Sequence, residues 1–164
     1  MGPYYQSACM APLDWKTHTY TSLPSTQDYV KELVAEDFPE GTVLQALVQT
    51  KGRGRHGRTW VSPMGNLYLS FLLRPGCHPE TAGQLSFVEA NALSEAIDTV
   101  LADDHKKTLK WPNDILIDGK KCAGILLESD LAQDGTVNAI IMGMGVNIHA
   151  PPDDAIGLQN VTHE

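Results

Sequence analysis

The sequence predicts an α+β fold, a mixed β-sheet with its helices mainly on one face. Three observations carry that expectation. Strand-like runs succeed one another with only two helical stretches between them, too few crossovers for a doubly wound sheet. Asp118-Gly119-Lys120 marks a hairpin turn between two of those runs. The run from Val137 to Val146 is mostly apolar, as a central strand covered on both sides would be.

Residues 1–14 carry no period and hold Pro3 and Pro12, so they read as a loose leader to a single domain spanning 15–150. Trp15 to Thr21 alternates as a strand. Leu23 to Thr26 turns into a helix, with Ser25 or Thr26 as its cap, Asp28 in the first turn, and Tyr29, Val30, Leu33 and Val34 as its apolar stripe. Pro39 and Gly41 end it. Strands follow at Thr42 to Val48 and Asn66 to Leu73, with Pro75, Gly76 and Pro79 turning the chain again. From Glu80 to Leu101, apolar residues at 85, 88, 92/93, 96/97 and 100/101 recur at three- and four-residue steps and predict one long amphipathic helix. Thr108 to Trp111 is a short strand, and Ile115 to Ile117 and Cys122 to Glu128 are the arms of the hairpin. After Asn147 the pattern lapses through Pro151, Pro152, Asp153 and Asp154, and residues 151–164 read as the start of a truncated continuation.

A chain of 164 residues is long enough for one domain with its own core. Its net charge of -8 speaks against general nucleic-acid binding, which wants a basic face. Cys9, Cys77 and Cys122 are odd in number and widely spaced, which fits reduced thiols rather than a disulfide framework or a zinc site. No run approaches membrane-spanning length and no secretion signal opens the chain, so the cytoplasm is the expected compartment. The six histidines lack metal-ligand spacing, and there is no GxSxG, P-loop or helix-opening GxGxxG.

Against that acidic background, residues 49–60 stand out. Three of the four arginines, Arg53, Arg55 and Arg58, fall within six positions, beside Lys51 and interleaved with Gly52, Gly54 and Gly57. Glycine at this density argues against a strand or helix interior and lets backbone approach a ligand. Arginine forks fit phosphate oxygens two at a time. The stretch reads as a mobile basic loop that holds a phosphorylated small molecule; the plainer alternatives are a solvated loop or a nucleic-acid tail. The run 110–114, KWPND, is the second informative stretch. Pro112 biases Trp111 towards extended backbone, leaving Asn113 and Asp114 at a strand junction, where they serve either a magnesium ion and a sugar or phosphate, or only a turn. Lys121 precedes an apolar strand in which Gly124 leaves room for a ligand, although alone it reads more readily as a hairpin lysine. Gly143, Gly145 and Asn147 close the last strand, a weak signal by themselves.

Together these stretches resemble the biotin protein ligases. Ser25-Thr26-Gln27, Gln49 with residues 52–58 (GRGRHGR) and Trp60, residues 62–70, KWPND at 110–114, Lys121 to Leu127, and residues 143–147 occur in that family's order and spacing. The resemblance implies the biotin/lipoate ligase fold, similar to class II aminoacyl-tRNA synthetases. It also implies an enzyme that adenylates biotin to biotinyl-5′-AMP with ATP and Mg²⁺, then transfers biotin to a lysine of a biotin carboxyl carrier protein. Ser25, Thr26 and Gln49 would hydrogen-bond the ureido ring, with Gly124, Leu126 and Gly143 lining its slot and Gln27, Gly52 and Trp60 among the biotin contacts. Arg53, Gly54 and Arg55 would lie on the loop that orders over biotin, Arg53, Arg55 and Arg58 would bear on carboxylate and phosphates, and Lys121 would stand at the reacting centre with Arg53 and Arg55. Asn113, Asp114 and Asn147 would contact ATP, Asp114 also holding Mg²⁺. Some members dimerise through a sheet edge, so a homodimer is compatible with the resemblance. No helix-turn-helix is seen, so no DNA partner is expected, nor a membrane. Two alternatives stay open: a lipoate or octanoate ligase or transferase of the same fold, and a truncated module that binds biotin without turnover.

Overall fold

The computed structural model describes residues 13–163. Residues 1–12 of the expected leader, Cys9 among them, and Glu164 lie outside the described residues. The elements are β1 (Lys16–Tyr20), α1 (Thr26–Ala35), β2 (Thr42–Ala46), β3 (Leu67–Leu73), α2 (Pro79–Ala82), α3 (Leu85–Asp98), β4 (Lys107–Lys110), β5 (Asp114–Ile117), β6 (Lys120–Leu131) and β7 (Val137–Val146). They build one seven-stranded sheet in the order β1-β2-β3-β7-β6-β5-β4. Only β1 and β2, joined through α1, run parallel; every other neighbouring pair is antiparallel, so the sheet is mixed as expected. The last strand, β7, lies between β3 and β6, which explains its nearly unbroken apolar sequence.

Ser25 caps α1, its side chain accepting the Asp28 amide at 3.3 Å. The helix buries Val30 and Leu33 against Leu44, Leu72, Ala139 and Ile141. Val30 is fully enclosed, and burial of a side chain of that size is worth about 1.5–3 kcal/mol. Next to Ala139 and Ile141 on β7, Ile140 and Met142 point the other way and pack with Ala82 of α2 and Leu85 of α3. Leu93 and Ile97 of α3 continue that second layer over Ile115, Ile117 and Ile125. The helices lie mainly on one face, as expected: α2 and α3 share it, and α1 alone covers the other. Residues alternating along β7 need cover on both sides, and one helix cannot give it.

The single helix expected from Glu80 to Leu101 is two. Between α2 and α3 the chain tightens into bonds three residues apart, Gln84 N–H to the Thr81 carbonyl at 3.1 Å and Phe87 N–H to the Gln84 carbonyl at 3.0 Å, around the poor helix former Gly83. The break turns Leu85, Glu89, Leu93 and Ile97 inward, while Phe87 and Val88 stay 53% and 60% exposed. Glu89 is the cost of that rotation. It is 4% exposed and neither carboxylate oxygen has a hydrogen-bond partner, so burial pushes its pKa up to about 8. Past β7 the chain returns over α3: Val161 is fully buried in the same core and its carbonyl accepts from Ala102 N–H at 2.9 Å. Among the described residues no helix is long and apolar enough to cross a membrane.

Candidate active site

Residues 52–60 fold into a narrow hairpin, where the sequence suggested a mobile loop unsuited to pairing. Trp60 N–H reaches the Gly52 carbonyl at 2.9 Å, Arg53 bridges Thr59, and Gly54 N–H reaches the Arg58 carbonyl at 2.7 Å. At the tip a short 3₁₀ turn, Arg55–Gly57, passes through left-handed backbone at His56 (φ 55°) and Gly57 (φ 73°). Glycine here permits pairing. A Cβ on Gly52 would lie 2.3 Å from the Trp60 carbonyl oxygen, so no other residue lets the two arms approach.

Beneath the hairpin, on the α1 face of the sheet, is a cavity of about 350 Å³. One part of it is neutral and polar. Gln49 accepts the Thr26 amide at 2.8 Å and donates to Ser62 at 3.0 Å. The Thr26 hydroxyl meets Ser70 at 2.8 Å, and Ser70 in turn donates to the Gln27 side-chain carbonyl at 3.1 Å. Gln27 then donates to the backbone carbonyls of Leu126 and Ile141 at 3.3 and 3.2 Å. This network rests on Gly143, where a Cβ would come within 2.3 Å of the Gln27 oxygen.

Two residues further along β7, roughly 6.6 Å at the usual rise, the character changes. The Trp60 indole lies against Gly145 and Gly124, where added Cβ atoms would fall 2.5 and 2.8 Å from its ring. Its Nε1 is buried against Gly145 without a hydrogen-bond partner. Lys121 Nζ stands 5.0 Å from the centre of that ring and 2.7 Å from Asp114. Arg55 donates to the Asn113 oxygen at 3.3 Å, and the Asn113 amide donates to the Ile125 carbonyl at 2.9 Å. Arg58, Lys110 and Trp111 complete this charged part.

Asp114 is the one carboxylate lining the cavity, and among the described residues no group of three or more His, Cys, Asp or Glu could enclose a metal ion. A single carboxylate suits Mg²⁺ when phosphates and water supply the remaining ligands. The donor set would fit a magnesium ion whose other ligands come from a phosphorylated ligand and water, with Asp114 as the residue to hold it.

The fold brings together Ser25, Thr26, Gln27, Gln49, Arg53, Gly54, Arg55, Arg58, Trp60, Asn113, Asp114, Lys121, Gly124 and Gly143 around one cavity. Gly52 opens the first arm of the hairpin and is not in the cavity wall. Leu126 contributes its backbone carbonyl to Gln27. Asn147 is 2% exposed, away from the cavity, and its amide donates to the Lys121 carbonyl at 3.2 Å. Arg53 is the largest surprise: its guanidinium is bonded to Asp28 and, at 2.6 Å, to Glu128. Burial works to lower its pKa, but the bonds to Glu128 and Asp28 outweigh this and raise it. Ser70, Ser62, Asp28 and Glu128 were not singled out as site residues. Ser70 could have been found, because strand alternation puts it on the face of Leu72, opposite the run Leu69, Phe71 and Leu73.

The sequence model of the Biotin/lipoate A/B protein ligase family matches residues 20–147. The Bifunctional ligase/repressor BirA of Bacillus subtilis is 41% identical over 133 residues, covering 80% of this chain and 40% of that protein. The Biotin--[acetyl-CoA-carboxylase] ligase of Paracoccus denitrificans is 47% identical over 105 residues, covering 64% of this chain and 43% of that protein. The chain thus spans about two fifths of the length of these relatives. Among solved structures, the biotin protein ligase of Leishmania major in complex with biotin is similar with a TM-score of 0.74 at 29% identity, over 88% of this chain and 63% of that one. The Aquifex aeolicus biotin protein ligase in complex with biotin and ATP gives 0.66 at 34% identity, over 90% and 61%.

Proposed function

The chain belongs to the Biotin/lipoate A/B protein ligase family, and on that footing we propose that it adenylates biotin and passes it to a carrier-protein lysine. The observation that carries this reading is the division of the cavity into a neutral hydrogen-bonding part over Gly143 and a cationic part beyond it. Biotin has the same division, a neutral ureido head and an anionic carboxylate tail. The hydroxyls of Ser25, Thr26 and Ser70, with Gln49, take the ureido group; Gln27 braces them from below. A site built on such hydrogen bonds discriminates strongly against a ligand that cannot make them, which favours biotin over lipoate or octanoate.

In the reaction the biotin carboxylate oxygen attacks the α-phosphorus of ATP, the bond to the β-phosphate bridging oxygen breaks, and biotinyl-5′-AMP and pyrophosphate form. No protein nucleophile is required. The chain has to place two anions together, and Lys121, Arg55 and Arg58 supply the charge that offsets their repulsion. Asn113 bears on the nucleotide, and Asp114 holds Lys121 in place and would be the protein ligand of Mg²⁺. The magnesium ion, when bound, neutralises phosphate oxygens. The basic hairpin shields the mixed anhydride from water until an ε-amine of a biotin carboxyl carrier protein attacks its carbonyl carbon, forming the amide and releasing AMP. We place this chemistry in the cytoplasm, in keeping with the free thiols of Cys77 and Cys122.

The test is ATP–pyrophosphate exchange driven by biotin, with lipoate and octanoate in parallel. Exchange with biotin alone is expected. Exchange driven by lipoate or octanoate instead would move the chain to the other branch of the family. Thermal stabilisation by biotin with no exchange would leave a binding module.

A further inference from the structure

We propose that Asp28 and Glu128 are positioning residues that clamp Arg53 and so hold the basic hairpin closed over the cavity. The inference deepens the adenylation reading above and rests on it. Three elements meet at one guanidinium: Arg53 on the first arm of the hairpin, Asp28 in the first turn of α1, and Glu128 on β6. One terminal nitrogen, Nη1, goes to Asp28 and the other, Nη2, to Glu128, at 2.6 Å. A planar fork can hold two carboxylates at once, whereas a lysine ammonium offers a point charge without that geometry.

The charges decide what Arg53 is for. With two carboxylates on one guanidinium the cluster carries a net charge of about -1, so it offers an incoming anion no net attraction. Arg55, whose side-chain contact is the neutral Asn113, keeps its full charge for that purpose. Glu128 adds an independent sign. Its second oxygen, Oε2, is buried with no hydrogen-bond partner, an arrangement unfavourable for a carboxylate unless a cation holds the first oxygen. Glu128 is therefore drawn in to meet Arg53. The cations that meet substrate are then Arg55, Arg58 and Lys121, and Arg53 acts as a strut that keeps water from the adenylate.

The strut and an anion-binding Arg53 predict opposite signs for one substitution. If Arg53 is a strut, Glu128→Gln loosens the hairpin, and biotinyl-5′-AMP escapes about fivefold faster while its rate of formation changes less than about twofold. If Arg53 binds the anion, removing a competing carboxylate frees it, and the adenylate is held as well or better. Single-turnover formation and release would be measured for wild type, Glu128→Gln, Asp28→Asn, Arg53→Ala and the Arg53→Ala/Glu128→Gln pair. In the Arg53→Ala background Glu128→Gln should add nothing; an additive loss would overturn the clamp. Hydrogen exchange on the ligand-free chain gives a second arm. The Gly54 and Trp60 amides, which close the hairpin rungs, should exchange about three to five times faster in Asp28→Asn and Glu128→Gln, and unchanged exchange would also overturn the clamp. A wild-type chain that makes no adenylate from any of the three acids defeats the adenylation reading, while the exchange arm still decides whether Asp28 and Glu128 hold the hairpin.

Discussion

Replacing Glu89 should stabilise the fold by an amount that depends steeply on pH. The carboxyl sits on the inward stripe of α3, one turn from Leu85 on one side and from Leu93 on the other, with no partner for either oxygen. Its pKa rises from an ordinary 4.5 to about 8 through burial alone. Below pH 4.5 the group is protonated whether the chain is folded or not, and it makes stability no function of pH. Between 4.5 and about 8 the unfolded chain releases the proton while the folded chain keeps it, so stability falls by about 1.4 kcal/mol per pH unit. The loss reaches about 3 kcal/mol at pH 7 and about 5 kcal/mol above pH 8. Glu89→Gln keeps the shape and removes the ionisation; Glu89→Leu also removes the two unpartnered oxygens. Urea unfolding at pH 5, 7 and 8.5 should show the Gln variant within about 1 kcal/mol of wild type at pH 5 and several kcal/mol more stable at pH 8.5. Leu should lie above Gln at every pH. Parallel stability curves for wild type and Gln would refute the reasoning, because they would mean that the folded protein already offers Glu89 water or a partner.

The two glycines of β7 should respond differently. Gly143→Ala puts a Cβ 2.3 Å from the Gln27 oxygen and 3.1 Å from Ser70, and disturbing that network should cost about 1–3 kcal/mol of biotin affinity by calorimetry, with the fold retained. Gly145→Ala should instead lift the Trp60 indole; in a Trp15→Phe, Trp111→Phe background its emission should move to the red, and an unchanged spectrum would show that the ring does not need Gly145. Lys121→Ala should raise the barrier to adenylate formation by about 2.7–4 kcal/mol. The Lys121–Asp114 pair is partly solvated, so stability should fall by only about 1 kcal/mol, and equal losses in rate and stability would make Lys121 structural.

Much of this was legible in the sequence where the signal is local. The bounds of β7 match the apolar run, and Ser25 caps α1 because a hydroxyl three residues before a free amide is a near-neighbour relation. The cavity was legible through its motifs, since most of its wall comes from short stretches that carry several lining residues each. The division of α2 from α3 was not legible. Val88, Ala92, Ala96 and Val100 make as regular a stripe as Leu85, Leu93 and Ile97, and the sheet's choice between the two stripes depends on packing. Glu89 was hidden by the same ambiguity, because with Val88 taken as inward it falls off the buried face. Asp28 and Glu128 stand 25 and 75 positions from Arg53. At such separations nothing in the spacing says which of the many acidic residues a given arginine will find.

The placement of β7 bears on how the protein is made. Until residue 137 leaves the ribosome, the chain has β1-β2-β3 on one side and β4-β5-β6 on the other, with no strand pairing between the two sub-sheets. Both carry an open edge at the gap, and such edges invite wrong pairings in a nascent chain. The gap also divides the cavity: Thr26, Gln49 and Ser70 belong to the first half, Asp114, Lys121 and Gly124 to the second. Ligand affinity should therefore emerge in one step, when β7 folds back on β6 and docks on β3. A chain severed in the turn at residues 132–136 offers a reporter for that step, since its two pieces separately lack a site and together restore one.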